Sequence, residues 1–138
     1  MVDFKMNLET GEPVISASGD LELVWGDEQI IQEVVFRLRT QKGDWVLSPN
    51  VGCSLEQFIG QPNTLLTHTA IEQVVENELT RDFLLAFPEI SAVDVSPTQV
   101  LILVEFSSLE RDDRLIQVQA TLDLHLGEIF ARSSYRTV

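Results

Sequence analysis

The feature that most constrains the fold is a segment near the C-terminus, residues 115–126, in which apolar and polar side chains alternate. Successive side chains of a β-strand point to opposite faces, so this period of two predicts a strand with one buried face and one wet face. The apolar face carries Ile116, Val118, Ala120, Leu122, Leu124 and Leu126. The other face carries Gln117, Gln119, Thr121, Asp123 and His125.

Two further strand signals precede this segment, at residues 90–96 and 100–106. Pro97 and Thr98 form a tight link between them, and the polar loop 107–113 leads into the third strand. Such short links predict an antiparallel meander of three strands. Residues 21–25 also alternate and end at Gly26, which indicates a short additional strand near the N-terminus.

Apolar side chains recur at helical spacing in two other segments. The first follows Asp27, a candidate N-cap, and ends near Thr40, where Gly43 can adopt the left-handed conformation that closes a helix. The second covers about residues 64–86 and is ended by Pro88. Their apolar stripes are Ile30, Ile31, Val34, Val35 and Leu38, and then Leu66, Ala70, Ile71, Val74, Val75, Leu79 and Phe83. The fold class is therefore α+β, with two main amphipathic helices packed on a small antiparallel sheet.

Length and composition indicate one globular domain at residues 20–126, an extended arm at 1–19 and a C-terminal tail at 127–138. No apolar run reaches the roughly 20 residues that span a bilayer, so no membrane association is expected. The N-terminus lacks the basic and apolar regions of a signal peptide. Twenty-two acidic residues against nine basic ones give a net charge of -13, which makes nucleic acid a poor partner.

No phosphate-binding loop, nucleophile elbow or dinucleotide fingerprint is present, and we predict no catalytic, cofactor or metal site. His68 and His125 have no second ligand at metal spacing and are interpreted as surface or strand residues. Cys53 is the only cysteine, so an intrachain disulfide is excluded, and it is interpreted as a packed residue.

Acidic pairs leave a small carboxylate-dependent hydrolase open as an alternative, because two carboxylates are the minimum for glycoside hydrolysis. Trp25 and Trp45 are interpreted as core residues, with interface anchoring as the alternative. A free-standing adaptor domain is a further alternative. The candidate acidic groups are Glu72 with Glu76, Glu76 with Asn77 and Glu78, and Asp112 with Asp113.

The alternating strand is the last of the expected meander, which makes it an edge strand whose backbone groups can pair with another chain. Residues 116–122 contain neither a proline nor a charge that would block such pairing. The alternative is that the N-terminal segment of the same chain covers this edge. The residues predicted to line the pairing edge are Ile116, Val118, Ala120, Leu122 and Leu124.

One loop and its flanks carry a resemblance to a known family. The order of amphipathic helix, "LRTQKGDWVLSPNVGCSLEQFIG", long helix and "FPEISAVDVSP" resembles the baseplate wedge or sheath-initiator family of contractile phage tails, which has relatives in type VI secretion. The likeness covers residues 27–106. Relatives often carry Glu-Pro-Arg after the long helix, whereas this chain has Phe87, Pro88 and Glu89, so an ion pair of that motif does not carry over. The matching positions are Leu38, Thr40, Gly43, Asp44, Pro49, Gly52 and Leu55, together with the proline Pro88.

The resemblance implies a structural protein without enzymatic activity or a cofactor. The loop would be a rigid corner that orients the first helix against the second. The partners would be the tail sheath protein, whose arms add to a strand edge, and other baseplate wedge proteins. The resemblance also implies a ring of about six copies in the virion tail baseplate, assembled in the host cytoplasm.

Overall fold

The computed structural model describes residues 2–7, 12–44 and 46–137, and it has the expected α+β architecture. Two short strands, β1 (Val2–Phe4) and β2 (Leu23–Trp25), precede helix α1 (Gly26–Arg39). Helix α2 (Leu65–Thr80) follows, and 3-10 turns occupy Leu55–Phe58 and Arg81–Phe83. The chain ends in strands β3 (Glu89–Ser96), β4 (Gln99–Ser107), β5 (Arg114–Asp123) and β6 (Ile129–Thr137).

The C-terminal strands form one antiparallel sheet in the order β3-β4-β5-β6. The prediction of a three-strand meander was therefore one strand short, and the prediction of a tail at 127–138 was wrong, because Ile129–Thr137 pairs with β5 along its length. β6 shows no clear alternation, because only its first residues, Ile129 and Ala131, pack against the core. Its sequence therefore resembles that of a polar tail.

Both helices contribute to one apolar core with the sheet. Their fully buried side chains meet the alternating side chains of β4 and β5, and each such side chain contributes about 1.5–3 kcal/mol by leaving water. No described helix has the length and hydropathy to cross a bilayer. The fully buried set includes Val34, Leu38, Ile71, Val75, Leu79, Ile102, Val104, Ile116 and Val118.

The buried stripe of α2 is narrower than the sequence predicts. Leu66 and Ala70 are exposed, whereas Ile71, Val75 and Leu79 are buried. The α-helix also ends at Thr80 and not near residue 86, because Asp82 takes a left-handed φ of 58° within the following 3-10 turn.

The N-terminal segment folds back on itself. β1 pairs antiparallel with β2, and isolated bridges join Met6 to Pro13 and Ile15 to Leu21. We call residues 2–7 and 12–25 the N-terminal hairpin. Val24 of this hairpin is buried against the domain. Trp25, predicted to be a core residue, is 65% exposed, and Trp45 lies outside the described residues.

Candidate functional site

β6 forms an edge of the sheet, and the geometry of the antiparallel ladder shows which of its backbone groups point outward. Residues facing each other in such a ladder alternate between hydrogen-bonded and non-bonded pairs. Asp123 donates its N–H to the carbonyl of Glu128 at 3.1 Å, and the same register continues into β6. The bonded partners of β5 in β6 are consequently Phe130, Arg132 and Ser134.

The intervening residues, 129, 131, 133 and 135, direct their N–H and C=O groups away from β5. A second contact supports this assignment: Ser108 donates its N–H to the carbonyl of Arg114 at 3.0 Å, which places the even-numbered residues of β5 in the ladder with β4. Within the described part of the chain, no backbone hydrogen bond joins the outward groups of β6 to another segment. β6 is an open edge.

The opposite edge, β3, is covered by α2 and the residues before it. Ala92, whose N–H points away from β4, donates it to Glu72 Oε1 at 2.9 Å. At the other end of β3, the Asn63 side-chain amide donates to the carbonyls of Ser96 at 2.8 Å and Gln99 at 3.3 Å. A helix laid along an edge is one of the ways in which proteins prevent unwanted pairing.

The predicted pairing edge was wrong, because β5 lies inside the sheet between β4 and β6. The predicted alternative, cover by the N-terminal segment, was also wrong, since β6 supplies the cover. A charge at Val118 or Ala120 would enter the core and unfold the domain instead of blocking a partner. Ile116, Val118, Ala120 and Leu122 are 0% exposed, and Leu124 is 3% exposed in the turn after β5.

A partly buried ion pair connects one end of β5 and β6 to the start of α1. Asp27, predicted to be an N-cap, lies inside α1 and is 2% exposed. It accepts hydrogen bonds from the Ser108 hydroxyl, from the Leu109 N–H at 2.8 Å and from Arg114 at 2.9 Å. The Arg114 guanidinium in turn lies 4.2 Å from the ring centroid of Tyr135 in β6. Burial alone would raise the pKa of Asp27, but the hydrogen bonds from Ser108, Arg114 and Leu109 outweigh it and lower that pKa.

The loop predicted to be a corner, residues 40–55, closes onto the end of α1. Thr40 accepts the Ser54 N–H at 3.2 Å, and Cys53 donates to the carbonyl of Arg37 at 2.9 Å. Gly43 has a φ of 96° and donates to the Pro49 carbonyl at 2.8 Å. Asp44 accepts the Gln41 N–H at 3.1 Å. The loop is thus internally bonded, while Leu38 and Leu55 anchor its two ends in the core.

Gly52 is the most restricted position of this loop. Its φ is 120°, and a Cβ there would lie 2.4 Å from the carbonyl oxygen of Thr40, so only glycine fits. Its N–H donates to Glu78 Oε1 on α2 at 2.9 Å. Arg37 of α1 reaches the carbonyl of Glu78 at 2.8 Å, so these residues link both helices to the loop.

The corner role of the eight matching residues stays a prediction. Pro88 lies apart from the loop, between the 3-10 turn Arg81–Phe83 and β3. Phe87 before it is 98% exposed and has a left-handed φ of 51°. Sequence reasoning considered Glu78 only as a possible catalytic acid and missed that Glu78 and Arg37 link the loop to the helices. A signal existed, because Glu78 lies three residues after Val75, on the buried side of α2.

Cys53 and the two histidines, which were considered as catalytic or metal-binding groups, lie in different surroundings. Cys53 is 1% exposed, and burial together with the nearby Glu78 raises its pKa to about 12, which keeps the thiol protonated. His68 is buried against Asn63 and is not a surface residue as predicted, whereas His125 is exposed in a turn. Among the described residues, no cluster of three or more His, Cys, Asp or Glu side chains is placed to hold a metal ion.

The acidic residues of the candidate pairs make separate contacts or are exposed. Glu72 is engaged with the β3 edge, and Glu76 is exposed on α2. Asp113 forms an exposed ion pair with Arg111 at 2.9 Å, next to the exposed Asp112. Among the described residues, these contacts do not bring the carboxylates of a pair together in an enclosed site.

Comparison with known proteins agrees with the resemblance found in the sequence. A crystal structure of a protein from Geobacter sulfurreducens, described provisionally as a tail lysozyme, matches with a TM-score of 0.52. The two chains are 18% identical, and the match covers 91% of this chain and 95% of the other, which shows a common fold. No curated protein sequence matches the chain. The profile of the contractile injection system sheath initiators matches residues 2–127, and the chain belongs to this sheath-initiator family.

Proposed function

We propose that this protein is a structural component of the baseplate that starts the sheath of a contractile injection system by accepting a strand of a sheath subunit at β6. The observation that carries the proposal is the asymmetry of the sheet: α2 covers the β3 edge, whereas the outward backbone groups of β6 are open. Backbone pairing gives affinity with little demand on sequence, which suits a template that has no catalytic residue.

The side chains of β6 favour a foreign strand over a second copy of β6. The strand contains Arg132 and Arg136 and no acidic residue. Two such strands paired with each other would bring like charges close together, which is unfavourable and is one way in which edge strands avoid self-association. Phe130 and Tyr135 remain 66% and 50% exposed and offer apolar contact area to an added strand.

In this proposal, the loop 40–55 and α2 hold the sheet, and with it β6, in a fixed orientation. Gly52, Glu78 and Arg37 link the loop to both helices, and α2 links to the sheet through Glu72. The orientation of β6 relative to the rest of a baseplate is then set by the fold. From the family assignment we also propose that about six copies form a ring in the baseplate, with wedge proteins and the sheath protein as partners.

The alternative of a small hydrolase finds no support in the described residues. The Geobacter sulfurreducens structure is described provisionally as a tail lysozyme, but at 18% identity the match shows a shared fold alone. The carboxylates considered for catalysis make structural contacts or are exposed on separate elements. We therefore propose that the role is assembly without catalysis.

The test removes one outward N–H from β6. Ser133→Pro deletes an N–H that points away from β5, so the internal ladder stays intact, whereas Ser133→Ala keeps the N–H and serves as the matched control. Each variant is co-expressed with the sheath subunit of the same genome, and capture is measured by pull-down. We expect the proline variant to lose more than about tenfold in affinity, about 1.4 kcal/mol, and the alanine variant to bind as wild type. Equal capture by a folded proline variant would contradict strand addition at β6.

A further inference from the structure

One charged side chain of β6 has no carboxylate partner in the described part of the chain. Arg132 lies in the middle of this edge strand and is exposed. None of the described carboxylates forms an ion pair with its guanidinium, so its positive charge is not neutralised there. Five other basic side chains do form ion pairs: Lys5, Arg37, Arg81, Arg111 and Arg114.

Gln119 of β5 holds the Arg132 guanidinium on the face of the sheet opposite the core. Its side-chain oxygen accepts hydrogen bonds from Arg132 Nε at 3.0 Å and Nη2 at 2.8 Å. The Gln119 amide in turn donates to Gln117 Oε1 at 3.0 Å. A guanidinium has five N–H donors, and these contacts use two of them, which leaves three for a partner. Because the side chain is already held in place, binding a partner costs it less conformational entropy.

The ladder shows which charges surround Arg132 on this face. Arg132 and Phe130 begin two neighbouring rows of side chains that cross the sheet, and neither row contains an acidic residue. The acidic residue of this face that lies nearest in the ladder is Glu105 on β4, in the row of Ser134. It is two strand spacings from β6, roughly 10 Å. The two rows are Arg132, Gln119, Leu103 and Ser91, and Phe130, Thr121, Leu101 and Val93.

An added antiparallel strand would place one side chain directly beside Arg132. Because residues 131 and 133 turn their backbone groups outward, Arg132 would belong to a non-hydrogen-bonded pair with the added strand. The Cα atoms of such a pair are about 4.5 Å apart, the closer of the two spacings in an antiparallel ladder. Opposite charges in a cross-strand pair are stabilising, and like charges are destabilising. The residue two positions later in the added strand would face Phe130, which is 66% exposed.

We propose that the sheath segment that pairs with β6 carries an aspartate or glutamate opposite Arg132 and an apolar residue two positions later, opposite Phe130. This inference rests on strand addition at β6, the function proposed above, and it adds the side chains that select the strand. Arg132 attracts the carboxylate and disfavours a strand that presents a basic residue at the same place. The pair also sets the register, because a shift by one residue turns the carboxylate to the other face of the sheet.

The first test measures the affinity of the full-length chain for the purified sheath subunit encoded with it. Arg132→Gln removes the charge and Arg132→Glu reverses it, whereas Arg111→Gln, at an exposed ion pair outside β6, is the matched control. We expect Arg132→Gln to weaken binding about three- to tenfold, Arg132→Glu to weaken it at least about tenfold, and Arg111→Gln to leave it unchanged. Added salt should reduce the difference between wild type and Arg132→Gln. Circular dichroism and the thermal midpoint establish that each variant is folded.

The second test looks for the carboxylate on the partner. Each acidic residue of the sheath subunit that is followed two positions later by an apolar residue is changed to lysine, one at a time. We expect one of these lysine variants to bind the wild-type chain weakly and to restore binding to Arg132→Glu. Such a reciprocal rescue requires that the two side chains lie next to each other.

The Ser133→Pro variant separates failure of this inference from failure of strand addition. If Ser133→Pro binds the sheath subunit as wild type does, strand addition at β6 fails, and this inference fails with it. If Ser133→Pro loses binding while both Arg132 variants bind as wild type, strand addition stands and the acidic partner is ruled out. The inference is also overturned if Arg111→Gln weakens binding as much as Arg132→Gln, or if no lysine variant of the sheath subunit restores binding to Arg132→Glu.

Discussion

At the scale of single residues, Asp27 links several parts of the domain. Its carboxylate joins α1 to the loop before β5 and, through Arg114, to Tyr135 in β6. Asp27→Asn removes the nearer of the two carboxylates that pair with Arg114, while Glu110 at 3.6 Å remains, and it weakens the hydrogen bonds that the buried carboxylate accepts. We expect it to lower the free energy of unfolding by about 1–3 kcal/mol. Urea denaturation at pH 7 measures this loss. Asp113→Asn, at an exposed ion pair, is the control and should change stability little.

The same residue gives a pH dependence with a defined sign. Because the folded-state pKa of Asp27 is lowered, its stabilising contribution is fully present above the ordinary aspartate pKa of about 3.9 and is lost as the pH falls through the lower folded-state value. The stability difference between wild type and Asp27→Asn should therefore shrink when denaturation is repeated at decreasing pH below about 4. A difference that stayed constant over that range would mean that the charge of Asp27 does not carry the effect.

Cys53 should be inert in the folded protein. Its pKa is raised to about 12 by burial, so thiolate is nearly absent at pH 8, and its sulfur is shielded from reagents. We expect iodoacetamide to alkylate Cys53 only after denaturation, as measured by mass spectrometry. Rapid alkylation of the native protein would show that the loop 40–55 opens readily and is not a rigid corner.

At the scale of elements, β6 should respond to proline in alternate positions. Ser134→Pro removes an N–H that bonds β5, whereas Ser133→Pro removes one that points outward. We expect Ser134→Pro to be less stable than Ser133→Pro by about 1–2 kcal/mol in urea denaturation, because it leaves a carbonyl of β5 without its donor. The reverse order would show that the ladder assignment is shifted by one residue.

The cover over β3 gives a second prediction at this scale. Glu72→Ala removes the acceptor of the Ala92 N–H, and Glu76→Ala, one turn further along α2 and exposed, is the matched control. We expect hydrogen exchange at Ala92 to accelerate at least tenfold in the first variant and to stay unchanged in the second. Unchanged exchange in both would mean that α2 covers the edge by packing alone.

Elements whose apolar side chains recur with a clear period could be predicted from the sequence. The alternation of β5, the two helices and the α+β class followed from spacing, because one buried face imposes that pattern. β6 could not be predicted, since its two faces are both largely exposed and carry no pattern. The edge was therefore assigned to the wrong strand. Leu66 and Trp25 illustrate a related limit: an apolar side chain kept exposed at the surface looks the same in sequence as one buried in the core.

At the scale of the whole molecule, the chain has one covered edge, one open edge and a separate apolar face. α2 covers β3, the outward backbone groups of β6 are open, and the N-terminal hairpin carries exposed apolar side chains that include Phe4, Leu23 and Trp25. The chain belongs to the sheath-initiator family of contractile injection systems, and the proposed function assigns the open edge to the sheath subunit. In the role proposed above, the open edge accepts a strand of a partner by backbone pairing.

The measurement that tests the central claim most directly is amide hydrogen exchange of this protein with and without the purified sheath subunit. Strand addition predicts that the outward N–H groups of Ala131, Ser133 and Tyr135 gain protection on binding, while Phe130, Arg132 and Ser134, already bonded to β5, change much less. This alternation by two is specific to backbone pairing. Binding of the sheath subunit with no added protection at these three amides would contradict the claim that β6 is the template.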